Sequence, residues 1–274
     1  MLRLALFLIA LSSTAVAQER QPSHCIAVAE ATPGVEYVRP VAYTDPVPER
    51  SVRIRYVTHA SFLLQTEGGL SAVTDFTGFL GNVDFIPDVV TMNHAHSTHW
   101  TAHPDPAIPH VLPGWGEEFG AGIDHYLDLG EMVVRNVSTD IRSAWGEGVE
   151  PEGNSIFVFE VAGLCIGHLG HLHHEPTDEQ YVAIGRMDVV MVAVDGGLTL
   201  DLPSVFRVMN RLKASIVIPM HWFGDGTLGA FLDGMAERFD VVLTEGSELT
   251  VSLERLPAQP TVMVLRPAFL REGE

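Results

Sequence analysis

Histidines are the residues in this chain best equipped for chemistry, and their placement is uneven. There are 13 in 274 residues. The run Asn93-His94-Ala95-His96-Ser97-Thr98-His99 follows directly on the apolar stretch Val89-Val90-Thr91-Met92, which reads as a strand buried on both faces. His94 and His96 are two residues apart, so in an extended segment they point to one side. A turn after Ser97 would swing His99 to that side as well. A second group, His168-Leu169-Gly170-His171-Leu172-His173-His174, follows another apolar run. Adjacent His173 and His174 must diverge, which makes His171 the better ligand and His174 the next. A third element is the single His221, emerging after Ile216-Val217-Ile218-Pro219-Met220. Three or more imidazoles converging at strand ends are what a Zn²⁺ site with an open coordination position requires.

The elements that must position these side chains are short strands followed by alternating strands and helices. Val52–Val57 alternates apolar and charged residues, as a half-buried strand does. Ser61–Gln65 and Ser71–Asp75 follow across a Glu67-Gly68-Gly69 turn. Met132–Val137, Ser155–Val161, Leu164–His168, Val189–Val194, Ala214–Ile218 and Val241–Thr244 are the later strands. Thr177-Asp178-Glu179-Gln180 is a capping box opening a helix to Ile184. Asp201–Lys213 has apolar residues at helical spacing with Pro203 in its first turn, and Gly226–Phe239 is a third helix. Strands early and strand–helix alternation late suggest an α/β (α+β) protein in which helices cover packed sheets.

Composition narrows the partners. Lys plus Arg number 16 against 35 for Asp plus Glu, a net charge of −19, so the chain lacks the cationic surface that nucleic acid demands. A bound dication could still accommodate an anionic small molecule. Residues 1–17 read as a signal peptide: Arg3, a short apolar run from Leu4 to Leu11, and Ala15-Val16-Ala17 at the cleavage site. The mature chain is therefore expected in the periplasm or secreted, without stable membrane insertion. Residues 18–50 form a Pro-rich extension, and 51–274 the folded domain. Of the two cysteines, Cys165 lies in an apolar run. It is either bridged to Cys25 in an oxidising compartment or a buried small hydrophobe.

These motifs resemble the metallo-β-lactamase superfamily, in the branch of small-substrate hydrolases that includes ascorbate-phosphate lactonase-like proteins. The likeness covers Val52 to Leu265. Tyr56-Val57-Thr58-His59-Ala60-Ser61-Phe62 looks like that branch's first strand pair, and Thr74-Asp75-Phe76 like its strand-ending Asp, which orients a ligand histidine. His94-Ala95-His96-Ser97-Thr98-His99 matches the signature His-x-His-x-Asp-His; His168-Leu169-Gly170-His171 matches a His-Leu-Gly-Asp segment; and Ile218-Pro219-Met220-His221 matches the closing histidine motif. The resemblance implies a four-layer αββα sandwich with the metal at the edge where strands end. Three departures stand out. Thr98 replaces the signature Asp, His171 replaces the metal-bridging Asp, and the family's middle histidine has no counterpart between Asn136 and Ser155.

The reading that follows is hydrolysis at a metal centre of His94, His96, His99, His171 and His221. A dication would bring the pKa of its water down toward ~7. Asp75 would orient a ligand ring, His59 or His174 would pass a proton, and Thr98 would donate a hydrogen bond without being a base. One or two Zn²⁺ ions are expected, with iron or manganese as alternatives. The substrate would be a small ester, lactone, lactam or phosphoester. No Gly-x-Ser-x-Gly elbow, P-loop or dinucleotide fingerprint offers a competing chemistry. Two other readings use the same histidines: an exported metal-binding protein without turnover, and an iron-dependent oxidoreductase on the same fold.

Overall fold

Short apolar runs separated by turns build two sheets stacked face to face. The computed structural model describes residues 20, 23–26, 42–93, 96–143 and 148–272. Strands β1 (Ser51–Thr58), β2 (Ser61–Thr66), β3 (Ser71–Val73), β4 (Gly81–Asn82), β5 (Val89–Met92) and β6 (His110–Pro113) come first. Then come β7 (Tyr126–Asp128), β8 (Met132–Arg142), β9 (Val149–Val161) and β10 (Leu164–His168). The alternating half runs α1 (Asp178–Ile184), β11 (Val189–Ala193), α2 (Leu202–Leu212), β12 (Ile216–Met220) and α3 (Asp225–Met235). It closes with β13 (Asp240–Leu243), β14 (Glu248–Ser252), β15 (Thr261–Val264) and β16 (Leu270–Arg271).

The first sheet has the order β14-β1-β2-β3-β5-β6, the second β13-β15-β12-β11-β10-β9-β8-β7, and β16 pairs with β4. Ile54, Phe62 and Leu64 of the first sheet meet Phe157, Phe159, Ile166, Met191 and Ile218 of the second in one core. The three helices bury Ile184, Val205, Val208, Phe231 and Met235 against the far face of the second sheet. The outer face of the first sheet carries Leu63, Val73 and Val90, covered by Tyr43, Phe76, Leu80 and Ile108 from irregular segments. Among the described residues that outermost layer contains no helix. Both sheets are thus covered on both sides, which is why β2, β5 and β11 read as continuous apolar runs.

The covering layer explains one departure from expectation. β1 is buried on both faces along nearly all its length rather than half-buried. Its arginines find partners instead of water. The Arg53 guanidinium donates to the carbonyls of Ala42, Asp45 and Pro46, and Arg55 donates to Glu248 at 2.6 Å. The extension's Pro-broken backbone has carbonyls outside any sheet ladder to offer, and a buried guanidinium needs acceptors.

The other local signals act as the residues dictate. Thr177 and Gln180 form the reciprocal cap of α1. Asp201 caps α2, which ends in a left-handed Lys213. α3 stops at Met235 rather than Phe239. Cys25 and Cys165 are bridged, with Cα atoms 5.7 Å apart, so the segment around Cys25 is tied to β10. No described helix is long and apolar enough to cross a membrane. The segment read as a signal peptide lies outside the described residues.

Candidate metal centre

Parallel β3 and β5 in one sheet and β10, β11 and β12 in the other all end on the same edge of the sandwich. The chain leaving each of these strands delivers a polar side chain there. After β5 the backbone turns, with the His99 N–H donating to the His96 carbonyl at 2.9 Å, which brings His99 back under His96. After β10, Gly170 takes φ +61° and hands over His171. After β12, His221 itself adopts φ 60°, and the β1–β2 turn holds His59 at φ 46°. Asp75, past the end of β3, has φ 41°. Left-handed backbone is uncommon for residues with a Cβ and costs on the order of 1–3 kcal/mol each. Here it aims three side chains at one place.

The rings of His59, His96, His99, His171 and His221 meet. His99 and His221 have centroids 5.1 Å apart, His99 and His171 4.8 Å, His96 and His171 4.9 Å, and His96 and His221 5.8 Å. The Nε2 atoms of His99 and His221 are 3.1 Å apart, and those of His96 and His171 3.2 Å. Two nitrogens on one zinc at 2.0–2.1 Å stand about 3.3 Å apart at the tetrahedral angle.

The tautomers make this contact chemically specific. His99 Nδ1 lies 2.5 Å from an Asp75 carboxylate oxygen, and His221 Nδ1 lies 2.9 Å from Asp195 Oδ2, off the line of a well-aligned hydrogen bond. A carboxylate can only accept, so His99 Nδ1 carries its hydrogen toward Asp75 and its Nε2 presents a lone pair, and the Asp195 carboxylate beside His221 Nδ1 favours the same tautomer there. Two buried lone pairs facing each other at 3.1 Å repel unless a cation lies between them. His59 Nε2 and His171 Nδ1 are buried with no hydrogen-bond partner. This all-imidazole donor set fits a borderline-soft divalent metal.

The surroundings hold the rings neutral. Burial, then neighbouring imidazoles, pushes His59 down to about 3 and His171 much further, and burial likewise lowers His99 and His96. Burial raises Asp75 to about 6, leaving it ionised at neutral pH, where it also accepts from Asn93 at 2.8 Å. Burial opposes ionisation of Asp195, but the adjoining His221 ring and hydrogen bonds from the Thr199 and Gly197 amides outweigh it and hold this carboxyl below the usual range. Asn154 accepts the His171 N–H at 2.8 Å within the second sheet, and Asn93 accepts the Ser155 N–H at 2.8 Å, tying the two sheets together beneath the site.

Other histidines have structural partners. His168 is fully buried, with Nε2 2.8 Å from the Ala60 carbonyl and Nδ1 accepting from the Gly170 amide, so it braces the β1–β2 turn. His173 accepts the Arg142 amide at Nδ1 and donates to the Leu198 carbonyl. His174 is exposed, and no described ring contact joins it to the cluster. Thr98 is exposed too, its hydroxyl 2.8 Å from His96 Nδ1. His94 lies outside the described residues. The group that sequence reasoning missed is Asp195. Its signal was an acid at the end of the apolar run Val189–Val194, followed by Gly196-Gly197, the same strand-exit placement as Asp75.

A double sheet, with helices over the second sheet's outer face and imidazoles gathered where strands end, defines a layered α/β protein with a candidate metal centre. A family model described as the beta-lactamase superfamily domain matches residues 53–221. The chain belongs to that superfamily. A UPF0173 metal-dependent hydrolase from Methanospirillum hungatei is 25% identical over 191 residues, covering 62% of this chain and 83% of its own length. A solved metallo-beta-lactamase superfamily chain from Thermotoga maritima superposes with TM-score 0.57 at 24% identity, covering 78% of this chain and 98% of that one. An isothiocyanate hydrolase from Delia radicum gut bacteria superposes with TM-score 0.52 at 12% identity, covering 73% and 99%.

Proposed function

We propose that this chain is an exported metal-dependent hydrolase acting on a small ester, lactone, lactam or phosphoester. The observation that carries the reading is the pair of Nε2 lone pairs of His99 and His221, 3.1 Å apart and each backed by a carboxylate. A divalent ion bound there supplies a water acidified toward neutral pH and a Lewis-acid contact for the developing oxyanion. The chain's own residues supply the rest. Asp75 and Asp195 fix the tautomers and orientations of His99 and His221. Thr98 orients His96, and Asn154 seats the backbone of His171. Phe223, 63% exposed, packs against both His59 and His221 and gives an apolar wall to whatever enters.

All-imidazole ligation favours zinc, with iron and manganese next. The Cys25–Cys165 bridge supports an oxidising compartment and hence export, in keeping with the signal peptide expected from the sequence of residues 1–17. The UPF0173 relative is named a metal-dependent hydrolase, which supports the reaction class.

The test is metal content of the purified protein beside a chromogenic panel of an ester, a lactone, a β-lactam and a phosphodiester. Turnover lost on chelation and restored by Zn²⁺ is the expected result. Stoichiometric metal without turnover on any class would make this a metal-binding protein instead, and coloured iron-loaded protein would turn the search to oxidative chemistry.

A further inference from the structure

The superfamily resemblance leaves the His99–His221 pair short of a ligand, because its signature acid is Thr98 here and that hydroxyl is engaged with His96. The two nearby carboxylates are also committed, Asp75 to His99 and Asn93, Asp195 to His221 and the 197–199 backbone. Of the two unpartnered ring nitrogens beside the pair, one belongs to His171, whose Nε2 is already paired with His96, and the other is His59 Nε2. The His59 ring centroid is 3.9 Å from that of His221 and 5.2 Å from that of His99. One donor atom from each of His59, His96, His99 and His221 lies within 4.8 Å of the others. His59 Nε2 is buried without a hydrogen-bond partner, although an imidazole nitrogen so placed normally finds one.

The backbone is arranged to put the ring there. His59 stands at φ 46° in the β1–β2 turn, and its carbonyl accepts from the Tyr56 hydroxyl at 2.6 Å and from the His221 amide at 3.0 Å. Tyr56 is itself stacked on Phe62 at 4.5 Å. The turn and the His221 loop are therefore locked to each other, and the spacing of their rings is fixed by backbone hydrogen bonds.

We propose that His59 is the third ligand of the ion held by His99 and His221, standing in for the acid that Thr98 replaces. The assignment rests on the metal-centre reading and deepens it. Three imidazoles leave a fourth position open, as catalytic zinc sites do. They also leave the ion's charge uncompensated by any direct ligand, with Asp75 and Asp195 offsetting it from behind the rings.

The experiment measures Zn²⁺ affinity of the full chain by chelator competition, and the visible spectrum of the Co²⁺-loaded form. His59→Ala and His59→Gln are compared with the parent and with His103→Ala, which removes an exposed imidazole outside the cluster. Thermal unfolding identifies any variant that does not fold, and the bulk-preserving His59→Gln keeps the test open if His59→Ala fails. Both His59 variants should lose about 100-fold or more in affinity, beyond the 10–100-fold typical of losing an outer partner, and should change the cobalt spectrum. His103→Ala should stay within about twofold. Folded His59 variants that bind as the parent does, with the parent's cobalt spectrum, would overturn the assignment. His59-dependent binding in a protein that hydrolyses nothing would keep the ligand and remove the hydrolase reading.

Discussion

Acidifying the metal-free protein tests the electrostatic picture most directly. His171 is buried, and its pKa lies far below the ordinary 6.5 because burial, then His99, His173 and His221, disfavour the imidazolium. A group depressed in the fold contributes stability that is complete above the unfolded pKa and is lost as pH falls below it. At pH 5 the unfolded chain protonates His171 while the fold does not. The gap of about 1.5 units at about 1.36 kcal/mol each is roughly 2 kcal/mol. His173, lowered to about 4 mainly by burial, would add as much, but it is partly exposed, and screening cuts that to about 1 kcal/mol. Asp75 has the opposite sign: its pKa is raised to about 6, so protonating it favours the fold as pH drops. It shares its proton with depressed His99, and the pair largely cancels. His59, lowered to about 3 chiefly by burial and also partly exposed, adds about 1 kcal/mol after the same screening, so the net loss between pH 7.5 and 5 is at least about 4 kcal/mol, a drop in melting temperature of roughly 8–16 °C for a chain this size. Urea and thermal unfolding in excess chelator at the two pH values would measure it. His171→Asn should remove up to about half of the pH dependence whatever it does to absolute stability. Equal stability of the parent at both pH values would refute the reasoning.

Three other outcomes are expected. Asp195→Asn should weaken Zn²⁺ binding about 10–100-fold in chelator competition, because His221 loses the anion that orients it. Gly170→Ala should destabilise by about 2 kcal/mol or more in urea unfolding, since φ is +61° and the new Cβ would stand 2.5 Å from both Asn154 Oδ1 and Asn93 Nδ2. Replacing Cys25 and Cys165 by Ser should cost about 3–5 kcal/mol, read as a lower denaturation midpoint, because the bridge closes a loop with a sequence separation of 140.

The double sheet was legible because patterning is local: continuous apolar runs marked strands covered on both faces, and the capping residues Thr177 and Asp201 marked helix starts. β14 and β15 escaped notice, as did the length of β9, which runs through Pro151 and Gly153. Long-range pairing with β1, β12 and β8 stabilises these segments, and no local propensity reports it. The same limit applied to the site. Strand-exit histidines pointed to a candidate metal centre, but which of His168, His171, His173 and His174 turn inward depends on Gly170's backbone and on carbonyls from Ala60 and Leu198, which are distant in sequence. Arg53 read as solvent-facing because its acceptors lie in an extension whose docking no periodicity encodes.

The strained positions connect these threads. Of the seven described non-glycine residues with left-handed backbone, His59, Asp75 and His221 all border the metal centre. Each sits in a turn pinned from outside: Ser61 donates to the Asp75 carbonyl, Tyr56 to that of His59, and the His221 amide bonds to the same His59 carbonyl. Those bonds belong to the two sheets, not to any ion. The rings are therefore brought together by the sandwich itself, against backbone preference and against the repulsion of facing lone pairs. A cation is the partner that turns both costs into binding, because it finds its ligands already converged and need not order them.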